Sequence, residues 1–284
     1  MSSAPLGVFD SGLGGLTVVR ALRAHVPHEA IVYLGDTARV PYGTRSTDTI
    51  LKYARSCAAV LTRRGVKALV VACNTASAVG VEMLRAELDL PVVGVIEPGA
   101  RAAVDVASQL SRAGDSRSGR IGVLGTARTI ASGAYTRAVT ALSTRLEVIG
   151  SAAPLLVPLV EEGWLEGDVP RLAVERYLVP LVAADVGSIV LGCTHYPLLE
   201  RTIAAAAERL SGHPVAVIDS ARATAEAVAE LLRDRGLCAS PGAATTQARS
   251  SLELLVTDLP ASFAAMAERC LGTLVPLEVT LVDI

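Results

Sequence analysis

The stretch "SIVLGCTHYPLL", residues 188–199, opens on a short apolar run, ends that run on Gly192 and Cys193, and then turns polar ahead of Pro197. A continuous, β-branched apolar run reads as a strand buried on both faces, and a proline shortly after it suits the first turn of a helix. "ALVVACNTASA" at 68–78 has the same plan, with Cys73 at the strand end and Thr75 placed to cap the next helix. Strand, cysteine, helix, twice over, is the pattern of a parallel α/β sheet, whose strands need helical crossovers.

The rest of the chain agrees. Further strand candidates lie at 6–10, 31–34, 92–95, 121–124, 146–149 and 215–218, with the two cysteine strands spanning 68–73 and 188–193. Between them, 45–64, 76–88, 98–112, 170–184, 197–210 and 221–235 are rich in Ala, Leu, Arg and Glu and read as helices. Ser46 suits an N-cap and Gly65 a residue just past a helix end. The segments 113–120 and 236–250 read as polar loops. "GVFDS" at 7–11 resembles "GVLGT" at 122–126, just as "VVACNT" resembles "VLGCTH". The expected fold is therefore α/β, with two lobes built on one plan and related by an approximate two-fold.

Composition removes several classes of function. The net charge of −2 over 284 residues gives no electrostatic case for nucleic acid or an anionic membrane. Every apolar run is far below the roughly 18 residues of a membrane span. The start "MSSAPLGVFDSG" lacks the layout of a signal peptide, so the expected location is cytoplasmic. Five cysteines without a CxxC pair argue against a disulfide framework or zinc ribbon, and only His195 lies near a cysteine in sequence, so no metal is expected.

Cys73 and Cys193 sit where open α/β sheets face their ligands, at carboxyl ends of strands. A helix N-terminus there lowers a thiol pKa from its free value of about 8.5. Asn74, Thr75, Thr194 and His195 come directly after the two thiols and could form anion pockets. Two like thiols suit inversion of a carbon centre, which needs a base on one face and an acid on the other, with the roles exchanged in reverse. Asp10 could assist one thiol, or could simply cap a helix. His195 could assist the other, or could be a surface or capping histidine. Cys57 shares a helical face with Ile50, Ala54 and Leu61, and Cys270 with Phe263 and Met266, so both read as core; Cys238 lies in a loop.

"DSGLGG" at 10–15 mimics a dinucleotide motif but places Thr17 where the last glycine belongs, although Asp36 has the spacing of a ribose-binding acid. Tight turning around a small anionic substrate is the preferred reading. Lys52 and Lys67 are the only lysines, and neither ends a strand. A Schiff-base enzyme with pyridoxal phosphate is thus not expected.

Together, "GVFDSGLGGLTV", "YLGDTARVPYG", "VVACNTASA", "IGVLGTARTIASGAY", "LVPLVEEG", "VLGCTHYPLL" and "VIDSA" make residues 7–221 closely similar to the glutamate racemases, of the cofactor-independent Asp/Glu racemase superfamily. That resemblance implies interconversion of L- and D-glutamate without cofactor or metal, supplying D-glutamate for bacterial peptidoglycan. It implies that Cys73 acts on the D-enantiomer and Cys193 on the L-enantiomer, assisted by Asp10, His195 and Glu161, with the neighbouring Glu162 leaving that last match open by one residue. Asp10, Ser11, Tyr42, Gly43, Asn74, Thr75, Thr126, Thr194 and His195 are the implied substrate-binding residues. The implied lobes are 1–97 plus 211–284 against 98–210, with the active site in the cleft between them, and the implied partner is a second copy. Without the N-terminal extension of members activated by a peptidoglycan precursor, such control is not expected. An aspartate or hydantoin racemase, a single-thiol decarboxylase, an amino-acid-binding protein and a thiol redox protein are the rival readings.

Overall fold

The computed structural model describes residues 3–239, 251–272 and 278–284, so the loop expected at 236–250 falls outside the described residues from 240 onward. In chain order the elements begin with β1 (Leu6–Asp10), α1 (Leu16–His25), β2 (Ile31–Gly35), α2 (Thr47–Arg63), β3 (Ala68–Val71), α3 (Asn74–Glu87) and β4 (Val92–Gly94). They continue with α4 (Ile96–Arg112), β5 (Arg120–Gly125), α5 (Ala127–Ala131), α6 (Ala134–Leu142), β6 (Glu147–Ala152), α7 (Leu156–Glu161) and α8 (Asp168–Ala183). Next come β7 (Ser188–Gly192), α9 (Glu200–Ser211), β8 (Ala216–Asp219), α10 (Ser220–Asp234), β9 (Leu252–Val256), α11 (Phe263–Leu271) and β10 (Val279–Leu281).

Contacts divide the chain into two compact units, Met1–Val95 with Thr224–Ile284, and Ile96–Ala223. These boundaries differ from 97/98 and 210/211. The reason is that β8 hydrogen-bonds to β7 and so belongs to the second sheet, which carries the crossing point into α10.

The first unit is built on a parallel sheet of order β10-β9-β2-β1-β3-β4. β1, β2 and β3 are buried along their whole length, as expected of central parallel strands covered on both faces. α2 packs one face inward through Ile50, Ala54, Cys57, Ala58 and Leu61. Its start is fixed by Ser46, whose hydroxyl accepts from the Thr49 amide at 3.3 Å, and its end by Gly65 in the left-handed region at φ 69°. Cys270 is buried in α11 beside Phe263 and Met266 on the same face. β9 and β10 had no counterpart among the sequence expectations.

The second unit is built on a parallel sheet of order β6-β5-β7-β8. Its order repeats the β2-β1-β3-β4 core of the first, strand for strand. The short internal matches seen in the sequence thus mark one folding plan used twice, with β9 and β10 added to the first copy. In each sheet the register brings strand ends level: Asp10 stands beside Gly35, and Gly125 beside both Gly192 and Ala152.

Candidate active site

In the first unit the site is built at the carboxyl end of β1 and β3. Asp10 ends β1 and is fully buried; its Oδ2 accepts from the amides of Gly12 at 3.2 Å and Gly15 at 2.9 Å. The glycine at 15 is a packing requirement, because a Cβ there would lie 2.5 Å from the Asp10 Cβ. Asp10 therefore ties its own loop and is not the helix N-cap of the plainer sequence reading, because α1 begins only at Leu16 with Gly15 as its N-cap. Those inward-turned amides also differ from the outward cradle that a pyrophosphate needs. Beneath the loop, the buried Tyr33 hydroxyl donates to the Gly12 carbonyl at 2.6 Å.

Cys73 comes just after β3 and is itself the N-cap of α3: its sulfur accepts from the Ala76 amide at 3.5 Å. Thr75, expected to be the cap, is instead the second residue of α3, after Asn74, and both are buried. The thiol also donates to the Ser11 hydroxyl at 3.4 Å. Cys73 thus stands in the positive field of a 14-residue helix, the setting that favours thiolate.

The segment after β2 carries Tyr42 and Gly43 in a one-turn 3₁₀ helix, Tyr42–Thr44. Tyr42 is buried and its hydroxyl donates to Asp36. Asp36 is fully buried and also accepts from Arg39 Nε at 2.7 Å and the Thr257 hydroxyl at 3.1 Å. It organises this loop, which accounts for an acid that mimicked a ribose ligand in the sequence. Nearby Cys57 is inert by contrast with Cys73: burial and then the Asp36 charge push its thiol up to about 12.

The second unit repeats the placement with different chemistry. Cys193 comes directly after β7 and is buried. No long helix starts there. Residues Tyr196–Leu199 form a 3₁₀ turn containing Pro197, and α9 begins only at Glu200. Cys193 has a side-chain relay instead. His195 Nδ1 lies 3.8 Å from its sulfur and 3.5 Å from the Thr194 hydroxyl, and His195 Nε2 lies 3.3 Å from Glu161 Oε1. Of the two adjacent glutamates it is Glu161, the last residue of α7, that reaches the ring. Burial opposes charge on His195, but its contacts with Cys193 and Glu161 outweigh burial and push its pKa up to about 10. Thr126 directly follows this sheet's β5 and N-caps α5 by accepting from the Thr129 amide at 3.2 Å.

Comparison with known proteins resolves the kind of protein to which such a pair of thiols belongs. Residues 16–228 match the family model "Asp/Glu/Hydantoin racemase". The chain belongs to that family. It is an amino-acid racemase, an isomerase. Among similar proteins of this racemase family, the glutamate racemase of Geobacter metallireducens is 46% identical over 94% of this chain and 92% of its own. A glutamate racemase isoform from Bacillus anthracis superposes over 100% of this chain and 99% of its own, with a TM-score of 0.87 at 37% identity. The glutamate racemase of Francisella tularensis, solved with D-glutamate, gives a TM-score of 0.86 at 31% identity, over 100% of this chain and 98% of its own.

Sequence reasoning missed Tyr33 and the Asp36–Arg39–Tyr42–Thr257 network as the supports of the two site loops. Asp36, Arg39 and Tyr42 recur every three residues after a strand end, which is a usable signal. Thr257 comes from β9's distant end, for which the local sequence carries none.

Proposed function

We propose that this racemase interconverts L- and D-glutamate by a two-base mechanism, without pyridoxal phosphate or metal. The observation that carries the mechanism is the equivalent placement of Cys73 and Cys193 after matched strands, one with its sulfur on the Ala76 amide and the other with its sulfur beside His195. The substrate assignment is supported by relatives named glutamate racemase at 42–46% identity over most of the chain.

In the L-to-D direction the Cys193 thiolate takes the Cα proton of L-glutamate, and the Cys73 thiol delivers its own proton to the opposite face. The product leaves with Cys193 as thiol and Cys73 as thiolate, and proton exchange with water restores the starting pair. His195 holds the Cys193 thiolate before the transfer, oriented by Glu161. Asp10 fixes the loop that presents Ser11 to Cys73. The amides and side chains of Asn74, Thr75, Thr126 and Thr194, with the backbone at Tyr42 and Gly43, suit carboxylate groups. The D-glutamate so made serves peptidoglycan synthesis in a bacterial cytoplasm, and the protein's partner is a second copy of itself. Among the described residues no helix is long and apolar enough to cross a membrane.

The test is Cα exchange in D₂O with reductant and no added pyridoxal phosphate, starting from each enantiomer separately. Deuterium in the opposite enantiomer from the first turnovers is the expected result. A folded protein that binds glutamate but exchanges neither enantiomer would overturn the assignment.

A further inference from the structure

α8 buries one face and leaves another apolar face uncovered. Its inward residues are Pro170, Val174, Leu178 and Leu181, all buried in the second unit. At about 100° per residue these share one side of the helix. Roughly opposite lie Val169, Leu172, Arg176, Val179, Pro180 and Ala183, all exposed. The three large aliphatics among them are 50%, 55% and 58% exposed respectively. Single exposed apolar residues are ordinary. Three on one helix, stepping by three and then seven residues with only Arg176 between, make the seam pattern of paired helices. One turn before the helix, the chain's only tryptophan, Trp164, is also half exposed.

The charges on this face choose the occupant. An antiparallel copy of α8, two-fold related about Leu172, sets Leu172 against itself and Arg176 against Asp168 of the copy, with Val179 over the turn that carries Trp164 and Leu165. Asp168 is 85% exposed and pairs with Arg171 of its own helix at 2.8 Å, which leaves its outer side open to a second cation. Centring the pair on Arg176 would instead oppose two guanidinium groups. We propose that the outer face of α8 is a homodimer seam, antiparallel about Leu172 and registered by Arg176 on the partner's Asp168. This rests on the reading of a second copy as partner and adds which surface it uses. One helix per copy lies at the small end of interface sizes, so the association is expected to depend on concentration.

The experiment is sedimentation of the full chain over a dilution series, for the wild type, Leu172→Glu, Arg176→Asp and the exchange pair Asp168→Arg with Arg176→Asp. A Cys238→Ser, Leu172→Cys chain is oxidised in parallel with diamide, with Val179→Cys as the off-centre control. The expected results are a wild-type dimer, a monomeric Leu172→Glu with unchanged circular dichroism, and several-fold weaker association for Arg176→Asp that the exchange pair restores. Cross-linking through position 172 and not 179 is expected too, because a disulfide needs Cα atoms within about 7 Å. A dimer that persists in Leu172→Glu and gives no cross-link at 172 overturns the seam and leaves the homodimer reading standing. A wild type that is monomeric throughout overturns both. Co-sedimentation of that monomer with phosphatidylcholine vesicles, lost in Leu172→Glu, would assign the face to a lipid surface instead.

Discussion

At the scale of single residues, the two thiols have different neighbours. Cys73 caps a helix, and Cys193 lies beside a histidine that in turn meets a glutamate. Cys73→Ser and Cys193→Ser should each lower turnover by roughly 10²- to 10⁴-fold or more, because serine is a far weaker acid and base. Since enantiomers have equal free energy, kcat/KM must fall equally in both directions for either variant; initial-rate assays from each enantiomer check this. His195 gives a pH signature. Its pKa is near 10 in the folded chain against an ordinary value of 6.5, so the folded state binds the proton more tightly. The resulting stability is fully present below about pH 6.5 and fades as pH rises through 10. Melting temperature should therefore fall more between pH 7 and 10 for the wild type than for His195→Asn. Gly15→Ala forces a Cβ onto Asp10, so it should cost about 1–3 kcal/mol and depress kcat/KM together, read by melting and by steady-state assay.

At the scale of elements, Ser46→Ala should remove one helix cap at about 1 kcal/mol, with kinetics unchanged, since α2 supplies no reacting group. Both ends of that helix were readable in the sequence because caps are local chemistry. The strands at 6–10 and 31–34 were equally legible, because burial on both faces leaves an unbroken apolar run. The start of the element after Cys193 was not. Pro197 is compatible with a helix start and with a 3₁₀ turn alike, and the choice is made by packing, with the buried Tyr196 hydroxyl donating to the Ala153 carbonyl at 2.7 Å. β9 was hidden for a related reason: "LELLV" is short and its alternation breaks after three residues, and only its pairing with β2 makes it a strand. The site residues themselves were visible, because strand-end polar motifs are contiguous. Their contacts were not, since Glu161 reaches His195 and Thr257 reaches Asp36 from distant parts of the chain.

At the scale of the whole molecule, β9 completes the first sheet beside β2, while β10 adds a short and largely exposed edge. Deleting residues 252–284 should leave the fully buried β2 as an open apolar edge, giving aggregated protein by size-exclusion chromatography. Deleting only 279–284 should leave soluble but less stable protein, since it removes Val282 and Ile284, which pack against the core of the first unit. The discontinuity of that unit also sets an order on the ribosome. Residues 96–223 are contiguous and can close their sheet as soon as they emerge, whereas β2 must wait for a strand more than two hundred residues downstream. At ordinary synthesis speeds that wait is on the order of tens of seconds. The half of the protein that is translated first is thus the last to finish folding, and during that interval its nascent edge is the segment most in need of a chaperone.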